Sequence, residues 1–288
     1  MNIGWIGAGK MGLPICQRFK AAGHTIKVLA RSNASAENLN LAGLAHTSTI
    51  ADLCSNSQIV FSSITDDAAL LDIANGVAAN LAKGSIYIDI STVSPSASAN
   101  VAAMLEKFGI NYLRSPVSGS TMMAEAGTLT AIISGPKWVF DGSISIFEVF
   151  AKKSTHVGEG EEARYLKLVI NSMVAATAAL LGEALAFGNK GGLSNATMLD
   201  VISQSVVASP LINYKRDMIV DEYYKAAASL NMLKKDLEIF LSVGAANKMS
   251  LPVNSKIQEI YKEASAHGLG QNDFFILVQE SARKSGIN

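Results

Sequence analysis

Up to about His156, short β-branched or apolar runs alternate with stretches rich in Ala and Leu. The runs are Asn2 to Ile6, Thr25 to Leu29, Ile59 to Ser63, Ser85 to Asp89, Asn111 to Leu113 and Thr128 to Ser134. Strands that alternate with helical stretches need crossover connections, so this rhythm predicts a mainly parallel sheet. From Glu161 onward the strand pattern stops. Apolar residues recur instead at helical spacing, in Leu166, Val169, Ile170, Met173 and Val174, then over Leu230 to Val243 and Ile257 to Leu277. The second half is predicted to be all helix.

The change falls at Gly158-Glu159-Gly160-Glu161-Glu162, whose acids suit a helix start. A helix from about Glu162 to Lys190 would run roughly 40 Å at ~1.5 Å per residue and could brace two domains. Gly191-Gly192 ends it. The predicted organisation is a doubly wound α/β domain over residues 1–161 and an all-α domain over 162–288 that begins with this long helix.

Gly7-Ala8-Gly9-Lys10-Met11-Gly12 follows the first strand at once and leads into a helical stretch. That is the setting a GxGxxG turn needs: its glycines permit the tight turn, let the backbone approach a pyrophosphate, and let the helix pack on the sheet. Amides at the helix start then face the anion. The first domain is therefore predicted to be of the Rossmann type, with Gly7, Gly9, Lys10, Met11 and Gly12 holding a dinucleotide. After the second strand, Leu29-Ala30-Arg31-Ser32 lacks the acid that would meet the ribose hydroxyls of NAD. Arg31 and Ser32 match a 2′-phosphate instead, because a guanidinium donates a forked pair of hydrogen bonds, so NADP is the predicted cofactor, with NAD kept as the alternative.

Composition narrows the partners. The 288 residues are 49% hydrophobic, enough for a substantial core, and 24 Lys plus Arg balance 24 Asp plus Glu. No bulk field draws the chain to nucleic acid or to an anionic membrane, so a small ligand is expected. Cys16 and Cys54 form neither a disulfide framework nor a zinc motif, and the N-terminus lacks the basic and apolar regions of a signal peptide, which suggests a cytoplasmic protein. The apolar stretch from Leu166 to Phe187 carries Lys167, Asn171, Ser172 and Glu183, so a buried helix is expected there rather than a membrane span. His24, His46, His156 and His267 are scattered without matching carboxylates, and no metal is expected.

Together these motifs resemble the β-hydroxyacid dehydrogenase family, which includes 3-hydroxyisobutyrate dehydrogenases, glyoxylate and succinic semialdehyde reductases and, more distantly, phosphogluconate dehydrogenase. The likeness covers nearly the whole chain. Gly4-Trp5-Ile6-Gly7-Ala8-Gly9-Lys10-Met11-Gly12 resembles the family's opening segment, and Asp89-Ile90-Ser91-Thr92-Val93-Ser94-Pro95 the loop beside the nicotinamide. Ser115-Pro116-Val117-Ser118-Gly119-Ser120, with Gly127-Thr128-Leu129-Thr130, is similar to the substrate-binding segment. Lys167 and Asn171 match the catalytic Lys and the Asn four residues after it, and Lys234-Lys235-Asp236-Leu237 the Lys-Asp-Leu of the second domain. Two positions depart from the pattern. Arg114-Ser115 stands where the family often has an acid and a small residue, and Ala30 where many NADP users carry Asn.

The resemblance implies hydride transfer between the nicotinamide and a small 3-hydroxy acid or its semialdehyde or 2-oxo acid. Lys167 would be the general acid and base, with burial and Lys235 lowering its pKa. Asn171, one helical turn on, would grip the same oxygen. Ser118 and Gly119 would hold the substrate carboxylate. Ser91 and Thr92 would lie by the nicotinamide ribose or cap the next helix, and Lys235 would reach the cofactor or the substrate acid. A homodimer or homotetramer is expected. The alternatives are an imine reductase of the same architecture, which usually lacks the Lys, and a dinucleotide-binding module without turnover.

Overall fold

The computed structural model describes residues 1–287. These divide into two compact units, the first Met1–Lys167 and the second from Leu168 onward. In the first, the chain runs β1 (Asn2–Ile6), α1 (Gly12–Ala21), β2 (Thr25–Leu29), α2 (Asn33–Leu41), β3 (Ala45–Thr47), α3 (Ile50–Cys54), β4 (Ile59–Ser62), α4 (Asp67–Asn80), β5 (Ile86–Asp89), α5 (Pro95–Lys107) and β6 (Asn111–Arg114). It continues through β7 (Val117–Ser118), α6 (Thr121–Ala126), β8 (Leu129–Ser134), α7 (Lys137–Phe147) and β9 (Ala151–Gly158).

The strands form one sheet in the order β3-β2-β1-β4-β5-β6-β8-β7, with β9 also paired to β8. Pairing is parallel from β3 to β6, and β8 then runs antiparallel to β6 and β7. All six runs read from the sequence are strands; β3, β7 and β9 are additional. The first two are too short to show a period. In β9, Lys152 and Lys153 are exposed on a strand paired only with β8, and such charges blunt a sheet edge while hiding its apolar pattern.

Alternation along the central strands fills two cores. Ile3, Trp5, Ile59 and Phe61 pack on one face with Phe19 and Phe150, while Ile6, Val60 and Tyr87 pack on the other with Leu70 and Val101. The chain winds outward from β1 in both directions, so the crevice of this unit opens where β1 and β4 end side by side.

Helix α8 (Glu162–Lys190) begins in the first unit and continues into the second, over the residues the sequence predicts. Gly192, at φ 85°, closes it, and Leu193 donates its amide to the Gly188 carbonyl. Then come α9 (Asn195–Ile202), α10 (Pro210–Val220), α11 (Leu230–Ala246), α12 (Pro252–Ala266), two 3₁₀ turns and α13 (Leu277–Lys284). Ala175, Ala178, Leu181 and Leu185 of α8 fill the core of the second unit with Leu233, Leu237, Tyr261 and Phe275. Lys215 and Asp273 form a buried ion pair in it at 2.6 Å. Helix α8 is long and apolar enough to cross a membrane, but half of its most apolar stretch is buried within the protein. Its opposite face leaves Leu166, Val169, Met173, Leu180 and Phe187 exposed.

Candidate active site

The three glycines of the first turn have separable structural reasons. Gly7 has φ 89°, and a β-carbon there would lie 2.0 Å from the carbonyl oxygen of Ser63. At Gly12 a β-carbon would meet the Gly7 oxygen at 2.3 Å and Trp5 Nε1 at 2.7 Å. At Gly9 it would meet nothing within 4 Å. Gly7 and Gly12 are thus demanded by packing, whereas at Gly9 the backbone is bare toward open space. Helix α1 also has Met11 at its N-cap position and so no side-chain cap, while α2, α3, α4 and α5 are capped by Ser32, Thr49, Asp66 and Ser94. An uncapped helix start behind a bare glycine fits a pyrophosphate, which would accept the amide hydrogen bonds that a cap takes elsewhere. Lys10 is exposed at the turn.

In the parallel register Ile6 pairs with Leu29, so Gly7 and Ala30 leave the sheet side by side and Arg31 follows at once. Arg31 is exposed. The Ser32 hydroxyl accepts the Ser35 amide at 3.2 Å and caps α2, which orients it without consuming its proton.

Ser91 is more constrained than the sequence suggests. Its hydroxyl donates to Asp89 Oδ1 at 2.6 Å and accepts the Ile64 amide at 2.8 Å, so it braces the loop from within. Neither Ser91 nor Thr92 caps the next helix; Ser94 does, through the Ala97 amide. Asp89 Oδ1 also accepts from Ser62 at 2.6 Å, and Tyr87 donates to that serine at 2.7 Å. Burial, with Asp89 beside it, pushes the Tyr87 phenol well above its ordinary pKa, and burial raises Tyr112 as well. Tyr87 donates to Ser62, whereas the Tyr112 hydroxyl accepts from Arg164.

Ser118 lies on β7, paired with Thr130 of β8. Gly119 follows at φ 136°, backbone that disfavours a β-carbon, and is exposed. Ser120 then caps α6 through the Met123 amide. The Ser-Gly pair therefore sits at the tip of a short ribbon held between a sheet and a capped helix.

Lys167 and Asn171 lie one turn apart on α8, and Lys167 is half-buried. The burial expected of Lys167 is partial: Leu168 is buried, but Leu166 and Val169 are 37% and 46% exposed. In the second unit, the Asn171 Nδ2 donates to Asp236 Oδ2 at 2.6 Å, and Lys235 Nζ pairs with Asp236 Oδ1 at 3.0 Å. A carboxylate only accepts, so Asp236 fixes which way the amide faces and leaves Asn171 Oδ1 pointing away from it.

The histidines stay apart from these groups. His156 bonds the Gly135 carbonyl, and His24 packs edge-on against Phe19. His267, read from the sequence as having no carboxylate partner, in fact meets Glu263 and Glu280, their ligand atoms all within 4.8 Å. Arg283 and Lys284 pair with those two carboxylates at 2.7 and 2.6 Å, which makes this an ion-pair cluster between α12 and α13.

Two family models together cover most of the chain. The NAD-binding domain of 6-phosphogluconate dehydrogenase matches residues 2–158, and the NAD-binding domain of NADP-dependent 3-hydroxyisobutyrate dehydrogenase matches residues 161–280. The chain belongs to the 3-hydroxyisobutyrate dehydrogenase family. It is 28% identical to glyoxylate/succinic semialdehyde reductase 1 of Arabidopsis thaliana, over 97% of this chain and 98% of that protein. It is also 28% identical to 2-(hydroxymethyl)glutarate dehydrogenase of Eubacterium barkeri, over 100% and 97%. Among solved structures, 3-hydroxyisobutyrate dehydrogenase of Mycobacterium tuberculosis with L-serine matches with a TM-score of 0.89 at 23% identity, covering 97% of this chain and 98% of that one. Psf3 in complex with NADP+ and 2-OPP matches with 0.87 at 26%, covering 96% and 99%. The protein is thus an NAD(P)-dependent oxidoreductase of this family, acting on hydroxy acids or semialdehydes.

Two buried groups were given no role from the sequence, Arg164 in the first unit and Asp236 in the second. Asp236 carried a signal, since it sits beside Leu233 and Leu237 on the apolar stripe of α11, where an acid needs a partner. Asp89 closes an apolar strand and so required a buried cation, but nothing in the spacing names Arg164 as that cation.

Proposed function

We propose that this dehydrogenase uses NADP(H) and interconverts a small 3-hydroxy acid with its semialdehyde, or reduces a 2-oxo acid, with Lys167 as general acid and base. The observation that carries the reading is the anchoring of Asn171 by Asp236, one helical turn beyond Lys167. An amide clamped by a buried carboxylate is costly to place on a helix for packing alone, and it suits a group that must present one fixed face.

Gly7, Gly9 and Gly12, with Lys10 and Met11, would hold the pyrophosphate, and Arg31 with Ser32 the 2′-phosphate. The bound nicotinamide supplies or receives the hydride. In reduction, the Lys167 ammonium would give its proton to the carbonyl oxygen as the carbonyl carbon accepts the hydride, and the product is the alcohol. In oxidation the neutral amine takes that proton back. Asn171 holds the oxygen or the amine in line. Ser118 and the exposed Gly119 amide bind the substrate carboxylate, and Lys235 adds a positive charge on the second unit. Arg31, with no acid following β2, supports NADP over NAD.

The test is NADPH oxidation with glyoxylate, succinic semialdehyde, tartronate semialdehyde and methylmalonate semialdehyde, with NADH in parallel and Lys167→Ala as the control. Turnover of at least one aldehyde, faster with NADPH and reduced about 100-fold or more by the substitution, is the expected result. Wild-type turnover in Lys167→Ala overturns the assignment. NADPH binding without consumption would indicate a binding module.

A further inference from the structure

Two ion pairs of opposite polarity, the first partly buried and the second fully buried, join the start of α8 to the sheet of the first unit. Arg114 of β6 donates to Glu161, just ahead of the helix, through Nε at 2.9 Å and through its terminal nitrogen. The departure noted at Arg114 is therefore compensated, a strand cation meeting an acid at the helix start. Arg164, one turn into α8, carries the reverse arrangement. It donates from Nη2 to Asp89 Oδ2 at 2.6 Å and to the Tyr112 hydroxyl at 2.9 Å, from Nη1 to the Ser91 carbonyl at 2.7 Å, and from Nε to Ser98 at 3.2 Å. Arg164 and Asp89 side chains are both 0% exposed.

Such pairs are a poor device for stability alone, because apolar groups of the same volume often serve as well. What they add is register. Glu161 and Arg164 are three residues apart, so slipping the helix by one turn would bring Arg164 toward Arg114 and leave Asp89 buried without a cation. The choice of partners also matters. Arg164 grips the backbone of Ser91, the residue that braces the Ser91–Thr92 loop, and it precedes Lys167 by one turn of the same helix. One guanidinium thereby ties the loop and the Lys167-bearing turn into a single piece.

We infer that Arg164 is a positioning residue for the hydride-transfer reaction, fixing Lys167 relative to the Ser91–Thr92 loop. The inference rests on the reading of Lys167 as general acid and base. A positioning role predicts that Arg164 and Lys167 act as one unit, so their losses do not multiply.

The experiment is a double-variant cycle of Arg164→Gln and Lys167→Ala, with kcat counted per folded molecule from near-UV circular dichroism. Arg164→Gln should lower kcat about 10- to 100-fold, the scale of a 1 Å misplacement, while the KM for NADPH changes less than about threefold. Arg164→Lys should recover part of the loss, and adding Arg164→Gln to Lys167→Ala should cost no more than about twofold. Losses that multiply, or a melting temperature that falls while kcat per folded molecule stays within about twofold of wild type, overturn the inference. If Lys167→Ala alone turns over at the wild-type rate, the Lys167 reading fails first and takes this one with it; if Lys167→Ala is crippled and Arg164→Gln is not, this one fails alone. Should Arg164→Gln not fold, Tyr112→Phe keeps the ion pair and removes one acceptor from it. A lowered kcat that disappears as an effect in the Lys167→Ala background supports the role, and an unchanged kcat overturns it.

Discussion

Alanine at Gly9 and alanine at Gly12 should have opposite consequences, and the contrast separates a phosphate site from an ordinary strand-to-helix turn. Gly9 does not have positive φ, and its β-carbon would meet nothing within 4 Å. Gly9→Ala should leave the free protein as stable as wild type or add about 0.4–1 kcal/mol by stiffening the unfolded chain. The methyl would stand where the pyrophosphate approaches. Loss of one hydrogen bond to a charged acceptor is worth about 1.5–3 kcal/mol, which weakens NADPH binding about 10- to 100-fold. At Gly12 the new methyl lies 2.3 Å from the Gly7 oxygen and 2.7 Å from the indole of Trp5. Trp5 is fully buried and stacked on Phe61 at 5.1 Å, so it cannot give way, and overpacking of this kind costs about 1–3 kcal/mol. That corresponds to a melting temperature lower by about 2–10 °C in a chain of this size. Thermal melts without ligand and fluorescence titration with NADPH read the two effects apart. NADPH binding at wild-type strength in Gly9→Ala would refute a pyrophosphate at this turn, and a Gly9→Ala melt as low as that of Gly12→Ala would refute the packing argument.

Arg31→Ala should raise the KM for NADPH about 10- to 100-fold and leave that for NADH within about threefold, as steady-state kinetics with both cofactors would show; equal losses would mean that Arg31 does not meet the 2′-phosphate. Asp236→Asn preserves shape but lets the Asn171 amide face either way, so kcat should fall about tenfold with little change in melting temperature, and an unaltered kcat would remove Asp236 from the argument. Glu280 is held down to about 2, from an ordinary 4.5, chiefly by the Arg283 hydrogen bonds and then by His267, against the opposing effect of burial. Because the folded pKa is the lower one, its stabilisation is present above pH 4.5 and is lost as pH falls toward 2. Arg283 is 60% exposed, so screening limits the effect to about 1 kcal/mol or less. Melts of wild type and Glu280→Gln should differ at pH 6 and converge across that acid window; a constant gap would contradict the assignment.

Periodicity carried most of the architecture. The Rossmann strands with strong apolar alternation and the 29-residue helix α8 could be placed from sequence because each pattern repeats over several residues with one periodicity. Strand β9 could not, because its exposed Lys152 and Lys153 follow the needs of a sheet edge rather than of a core. The same limit applies at the site. Gly7, Gly9 and Gly12 sit within six residues and are legible as one motif. Arg164 and Asp89 are 75 residues apart, and their pairing exists only once β5 and α8 have met. Ser91 was legible as a loop residue but not as a brace, since its partner amide at Ile64 comes from the end of a different strand.

A buried carboxylate organises polar groups by the same logic in each unit. Asp89 lies beneath the Ser91–Thr92 loop and Asp236 beneath Asn171, and each finds its cation and donors within its own unit. A buried carboxylate without such partners would be prohibitively costly, so each network holds its own charge in place whether or not substrate is present. Each also acts on the group above it in the same way. Because a carboxylate can only accept, it dictates where a neighbouring hydroxyl or amide must send its proton and therefore which atom is left for a ligand. Orientation set in this manner is in place before the reaction begins, which is the condition under which a polar group lowers a barrier without first having to reorganise. In each unit the buried carboxylate thus sets the orientation of the groups above it, and substitutions at Asp89, Arg164 and Asp236 should depress turnover more than they depress binding.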